Sequence, residues 1–297
     1  MSMDPIVVPD PPELPKPAAP AAVRPTKEKR GPWFSIREEL PSWQVWVLGV
    51  LPILLLLGVW WFVTSGSQAE DRIVSPTILP SPGEVVGSAK ALWFERALTR
   101  STLTSFTRVL LGFALAVAIA FPVGLLMGAF TKIRATFTPL SVFGAYLPIP
   151  ALVPLTLSLF GTGEVQKIVF LAMAFVIYLV PLIATAVENV DDVYLKTAYT
   201  LGADRGQVVS KVLLGVAWPE IFHALRLGFG VGWSYIILAE AVDIDQSLGG
   251  IIITSQRRGP REHIYLVLVV IVALAFATDK VWAWAERRFF PYREAAR

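Results

Sequence analysis

Residues 44–63 read QVWVLGVLPILLLLGVWWFV, and the run stays free of charge as far as Ala69. A helix needs roughly 20 consecutive apolar residues to cross the hydrocarbon core of a bilayer, so this one stretch is long enough to span. The basic residues Lys27, Lys29, Arg30 and Arg37 precede it. A secretory signal has a shorter apolar core nearer the start of the chain. Ser67-Gln68-Ala69 loosely fits a cleavage site, but the length and position of the run make it an anchor.

The rest of the chain repeats the pattern. Strong apolar stretches lie at Leu103 to Phe130, Phe137 to Phe160, Ile168 to Val187 and Ile264 to Ala285. Leu227 to Ala239 is uncharged but bounded by Arg226 and Glu240, and it reaches spanning length only if its helix runs from about His223 to Val242 with both charges near the ends. The expectation is an all-α polytopic membrane protein with about six transmembrane helices. Composition agrees: 55% of the 297 residues are hydrophobic and 16% charged, against about 25% charged in soluble domains.

With the amino end inside, the inner segments carry sixteen Lys and Arg and the outer ones eight. This bias places both termini in the cytoplasm. Residues 1–40, with nine prolines in the first 32, read as a disordered Pro-rich cytoplasmic tail. Residues 41–290 read as the transmembrane domain.

Several chemistries are excluded. With no Cys and only His223 and His263, there is no disulfide framework, no thiol nucleophile and no metal site of several N or S ligands. A net charge of +3 is too small for a nucleic-acid footprint. The nearest approach to a phosphate loop, Gly161-Thr162-Gly163-Glu164-Val165-Gln166-Lys167-Ile168, lacks the second Gly before Lys and has Ile where Ser or Thr would bind magnesium, so it reads as a turn between spans. Gly228-Phe229-Gly230-Val231-Gly232 sits inside an apolar helix rather than between strand and helix. Its Gly228 and Gly232, like Gly124 and Gly128, have the spacing that brings membrane helices close.

The longest inner loop, residues 188–222, is patterned as helix, turn, helix. Asp191 or Asp192 can cap a first helix carrying Val193, Ala198 and Leu201, and Gly202 breaks it. Asp204 can cap a second helix in which Val208, Val209, Val212, Leu213 and Val216 form one face opposite Arg205, Gln207 and Lys211. A short amphipathic helix facing the cytosol suits a partner's groove better than DNA.

This loop resembles the EAA-type loop of the permease subunits of bacterial binding-protein-dependent ABC importers, in the nitrate, sulfonate, taurine and bicarbonate branch. Aligning the loop's Gly on Gly202 places Lys196-Thr197-Ala198 on the Glu-Ala-Ala triplet, where the last Ala agrees. It also places Gly215 where the family has Pro, and Pro219 follows. The resemblance extends through LPSPGEVV from Leu79, SFTRVLLGFALA around Arg108, LPIPALVPL from Leu147, LRLGFGVGW from Leu225, LAEA from Leu238, and Asp279-Lys280. It implies a type I ABC importer permease fold and a chain that has no cofactor of its own and is not an enzyme. ATP would be bound and hydrolysed by separate cytoplasmic ATPase subunits. Ala198, Leu201, Gly202, Ala203, Asp204 and Arg205 would form the coupling helix that docks on them. A second permease copy would complete the path, in the inner membrane, and a periplasmic or lipid-anchored binding protein would deliver a small hydrophilic anion. Alternatives are an importer of another cargo, such as a vitamin precursor, and a membrane-embedded enzyme or signalling anchor.

For the path, Pro148, Pro150 and Pro154 remove backbone donors at membrane depth, which is tolerated beside a water-filled cavity. Tyr146, Pro150, Pro154 and Ser158 are four apart and share a stripe if the helix continues. Trp233, Ser234 and Tyr235 add donors. Glu240, Asp279 and Lys280 need partners or water at that depth, and Glu240 is the acidic candidate for a gate. Arg257, Arg258 and Arg261 lie on the outer side against the usual bias, where they could dock an acidic face.

Overall fold

A computed structural model of the chain describes residues 40–66, 71–242 and 246–292. The expected tail lies outside these residues, apart from Leu40. In order, the helices are α1 Ser42–Val63, α2 Pro82–Gly87, α3 Ala89–Glu95, α4 Leu98–Ala129, α5 Thr131–Tyr146, α6 Leu152–Phe160, α7 Glu164–Glu188, α8 Asp192–Thr200, α9 Arg205–Gln207, α10 Leu214–Glu240, α11 Leu248–Arg258 and α12 Arg261–Phe289. Two units are distinct, one up to Ile53 and one from Leu54 on.

Five helices are long and apolar enough to cross a membrane, and a sixth crossing is possible if the bent pair Thr131–Tyr146 and Ile149–Phe160 counts as one span. The helix α1 is apolar on every side, with Trp43 and Trp46 near one end and Trp60 and Trp61 near the other, as tryptophans sit at both interfaces of a membrane. Its last turn is held by Trp60 Nε1, which donates to the Pro80 carbonyl at 2.9 Å.

The second unit is built on α7. Phe170, Leu171, Phe175, Leu179 and Ile183 along it are completely buried, because α4 packs along one side and α10 along another. Glycines allow the approach. A Cβ on Gly128 would fall 2.5 Å from Val187 Cβ, and one on Gly124 would fall 2.8 Å from Ile183 Cβ. On α10, a Cβ at Gly232 would meet the Phe175 ring and one at Gly228 would meet Leu179. The four glycines therefore serve close helix packing, as their spacing suggests. Gly112, whose Cβ would lie 2.8 Å from that of Leu171, extends the same seam in the same four-residue spacing, with the buried Ala116 and Ala120 between it and Gly124.

Two expectations are corrected. The third span does not continue as one helix: its halves meet at 91°. Pro148 disfavours helical backbone at the residue before it, and Leu147 is accordingly extended. Pro150 then opens a 3-10 turn over Ile149–Ala151, and Pro154 falls in the first turn of α6, where no backbone donor is missed. The fifth span is also longer than the sequence suggested. Arg205–Glu240 is a single 36-residue helix, so the expected second loop helix and the span are continuous, joined by a π-helical stretch over Val208–Leu213. Nothing between Val208 and Phe222 breaks it, since Pro219 removes only one donor.

Candidate functional site

The elbow between α7 and α10 is assembled from capping chemistry. Asp191 accepts a hydrogen bond from the Val193 amide at 2.9 Å and starts α8. At the other end Gly202 takes φ +83°, the left-handed backbone that glycine tolerates best. There the Gly202 amide donates to the Tyr199 carbonyl and the Ala203 amide to the Ala198 carbonyl, both at 3.0 Å. These two bonds form a Schellman ending. The next residue, Asp204, begins the following helix with a reciprocal box: the Gln207 amide donates to Asp204 Oδ1 at 2.8 Å, and the Asp204 amide to Gln207 Oε1 at 3.1 Å. Asp204 follows the Schellman ending directly, with no residue left between the two motifs, so the elbow is a short bracket closed by hydrogen bonds on both sides.

Its faces are sorted. Ala198, Val208 and Leu213 are buried and Ala203 packs beside them. Leu201 stands 83% exposed, with Val193, Tyr194 and Tyr199 also exposed, and Gly202, Asp204 and Arg205 lie on the surface. A cluster of exposed apolar side chains on a rigid turn is a surface ready for a partner's groove. The elbow is braced from the side by an ion pair between Arg134 and Glu188.

The expected path residues are scattered. Tyr146 ends α5, 85% exposed, whereas Pro150, Pro154 and Ser158 lie exposed beyond the bend, so the four share no continuous helical stripe. Ser234 is exposed. Trp233 is buried on α10 with its Nε1 donating to Thr278 Oγ1 at 3.2 Å. Tyr235 and Tyr178 bring their hydroxyls within 3.3 Å of each other across α10 and α7. Tyr178 carried no sequence signal beyond its place in an apolar run.

Glu240 is fully enclosed. Arg108 Nη1 donates to its Oε1 at 2.8 Å, Ser105 Oγ to the same oxygen at 2.7 Å, and the Gly249 amide to Oε2 at 2.9 Å. The other edge of the buried Arg108 grips Glu164, with Nε donating at 2.8 Å, and Lys167 Nζ lies 3.8 Å from that carboxylate. The bond network thus ties α4, α7, α10 and the start of α11 at the end of the bundle away from the elbow. Arg108 sits inside an apolar run, and its place beside a buried acid on another helix could not be read without the fold.

The remaining charges within spans are also partnered. Arg226 donates to Asp279 from Nε at 2.7 Å and from Nη2 at 3.0 Å, and to Glu286 from Nη1 at 3.0 Å. Lys280 lies over the Phe276 ring at 4.9 Å. Arg257 and Arg258 close α11 and Arg261 opens α12, all exposed. Among the described residues, no group of His, Asp and Glu could hold a metal ion.

The sequence profile of the family described as the inner membrane component of binding-protein-dependent transport systems matches residues 120–290. The chain belongs to that family. It is 30% identical over 252 residues to the taurine transport system permease protein TauC of Escherichia coli (strain K12), covering 82% of this chain and 89% of the relative. It is 29% identical over 194 residues to the bicarbonate transport system permease protein CmpB of Synechococcus elongatus, covering 65% and 70%. Among solved structures, a chain of the inward-facing MetNI methionine ABC transporter superposes with a TM-score of 0.60 at 21% identity, covering 68% of this chain and 98% of that one. The fold is therefore that of an ABC importer permease. Membership makes this a membrane component of a transport system.

Proposed function

We propose that this permease carries a small hydrophilic solute with an anionic group, such as zwitterionic taurine or another sulfonate, nitrate or bicarbonate, into the cell across the inner membrane. Relatives named for taurine and bicarbonate support the cargo class. Binding protein and ATPase are the partners that the family implies. In this reading both termini and the elbow face the cytoplasm, a second copy of the chain completes the path, and lipid covers α1 and the exposed side of α12. Anion selection rests largely on the periplasmic or lipid-anchored binding protein, because a path that held the anion tightly would slow its release.

One observation carries the coupling part of the proposal: the bracket at Ala198–Arg205 presents Leu201 and its apolar neighbours on a turn closed by hydrogen bonds at both helix ends. Cytoplasmic ATPase subunits, which bind ATP themselves, would seat this bracket in a groove. Their closure would then reach the spans as a rigid-body displacement. Tyr146, Pro150, Pro154 and Ser158 bound the path in this proposal, where backbone broken by proline is tolerated at membrane depth if it lines water. Trp233 and Glu240 support its wall from within.

Two measurements test it. In proteoliposomes holding the assembled importer, ATP-dependent uptake of labelled taurine or bicarbonate should require the binding protein; uptake of only cationic or apolar cargo would overturn the anion assignment. Topology is read separately, since the chain has no native Cys. Ser35→Cys and Gln246→Cys should react with an impermeant thiol reagent from opposite faces of sealed membranes. Reaction of both from one face would overturn the orientation.

A further inference from the structure

A cavity of about 440 Å³ opens between α2, α3 and the first turn of α12, away from the elbow and from the Arg108–Glu240 pair. Glu84, Glu262 and His263 line it, with Pro76 and Pro80 as walls and Gly87 at its edge. Its size is in the range of small-ligand sites.

His263 is only 8% exposed, and its Nδ1 is buried with no hydrogen-bond partner. Nearly all buried polar atoms in folded proteins are paired, so an orphan nitrogen beside a cavity marks where a bound group would supply the partner. The two carboxylates differ in state. Glu84 is occupied: Arg72 donates to its two oxygens at 2.9 and 3.2 Å, and the Ser81 amide donates at 2.8 Å. The hydrogen bonds from Arg72 and Ser81 hold its carboxyl below the usual value, so it stays ionised and balanced by Arg72. Glu262 makes no ion pair among the described residues. The cavity therefore keeps one carboxylate with no ion pair among the described residues and, in the Nε2–H tautomer of His263, one nitrogen able to accept; the opposed charges of Arg96 and Glu95 also reach that ring. Pro76 and Pro80 bring no N–H to its walls.

We propose that this cavity binds a protonated amine or guanidinium group. Such a group has donors and no acceptor, which matches the Glu262 carboxylate, the lone pair of His263 in its Nε2–H tautomer, and walls where the two prolines have no N–H and the Ser88 hydroxyl already donates to the Val85 carbonyl. A metal ion is the poorer match, because the residues present form no metal-holding cluster. Two sources supply this chemistry: a lysine or arginine side chain of the binding protein, or a free amine from the medium. The protein source rests on the proposed topology, in which this face is external; the cavity's chemistry does not.

The chain has two histidines, so histidine-selective isotope labelling of a His223→Gln variant in nanodiscs isolates the His263 signal. Titrating n-butylammonium should shift that signal saturably, whereas n-butanol at equal concentration should not. Glu262→Gln should weaken the amine at least about tenfold, which corresponds to roughly 1.4 kcal/mol. Gly87→Phe should abolish the shift, since a Cβ at Gly87 meets nothing within 4 Å and its side chain can fill the space. A shift on adding purified binding protein identifies a partner side chain as the source; a response to n-butylammonium alone identifies a free amine. No saturable shift with n-butylammonium, or an equal one with n-butanol, overturns the proposal. Failure of the external topology would be seen in the thiol labelling and would leave the amine titration intact.

Discussion

Glu240→Leu is expected to cost the permease about 3–5 kcal/mol of stability, the range found when one partner of a buried ion pair is removed. Arg108 would keep Glu164, but its Nη1 edge, the Ser105 hydroxyl and the Gly249 amide would all lose their acceptor inside the bundle. Folded proteins are commonly stable by only 5–15 kcal/mol, so the variant should unfold well below the native temperature in detergent. The companion Arg108→Met/Glu240→Leu double variant should recover most of the loss, because it leaves no buried charge unpaired and Glu164 is half-exposed and can be solvated. Thermal unfolding of the native, single and double variants measures this cycle. Native-like melting of Glu240→Leu would show that the network contributes little.

The second large effect is expected at the elbow. Gly202→Val forces a β-branched side chain into left-handed backbone, at on the order of 1–3 kcal/mol, and should loosen the Schellman ending. Val209→Pro deletes a backbone donor and breaks the helix just after its capping box, at about 3 kcal/mol. In the assembled importer each should lower uptake by about tenfold or more while the ATPase loses its response to loaded binding protein. Co-purification with the ATPase separates lost coupling from lost assembly. Normal uptake and stimulated hydrolysis in both variants would remove the elbow from the mechanism.

Much of this was open to a reader of the sequence, for identifiable reasons. Spans follow from uncharged apolar length, a local property. The four paired glycines announced their packing by spacing, and Asp191, Gly202 and Asp204 announced helix ends by their capping chemistry. The Ser81-Pro82-Gly83-Glu84 start of α2 carried an equally local signature, a capping box with proline at the first helical position, and could have been found the same way. What escaped was relational. The partners of Glu240 and Asp279 come from α4 and α10, far away in sequence, and only packing brings them together. The stripe from Tyr146 to Ser158 failed because periodicity presumes a continuous helix, and Pro148 ends it. The length of Arg205–Glu240 escaped because charges at Arg205, Lys211 and Arg226 break a hydropathy window without breaking a helix.

That length has a mechanical meaning. Thirty-six residues make a rod of about 54 Å at 1.5 Å per residue, with Asp204 of the elbow just before one end and Glu240 at the other. Gly228 and Gly232 press it against α7 toward the Glu240 end. A rod gripped there behaves as a lever with a fulcrum and unequal arms. On the proposed coupling, a push at the elbow would be geared down: a long stroke on the ATPase side would become a short, forceful one at the Arg108–Glu240 pair. On that reading the glycine contact would set the gearing ratio, and moving it along the rod would change how far the opposite end opens for a given push.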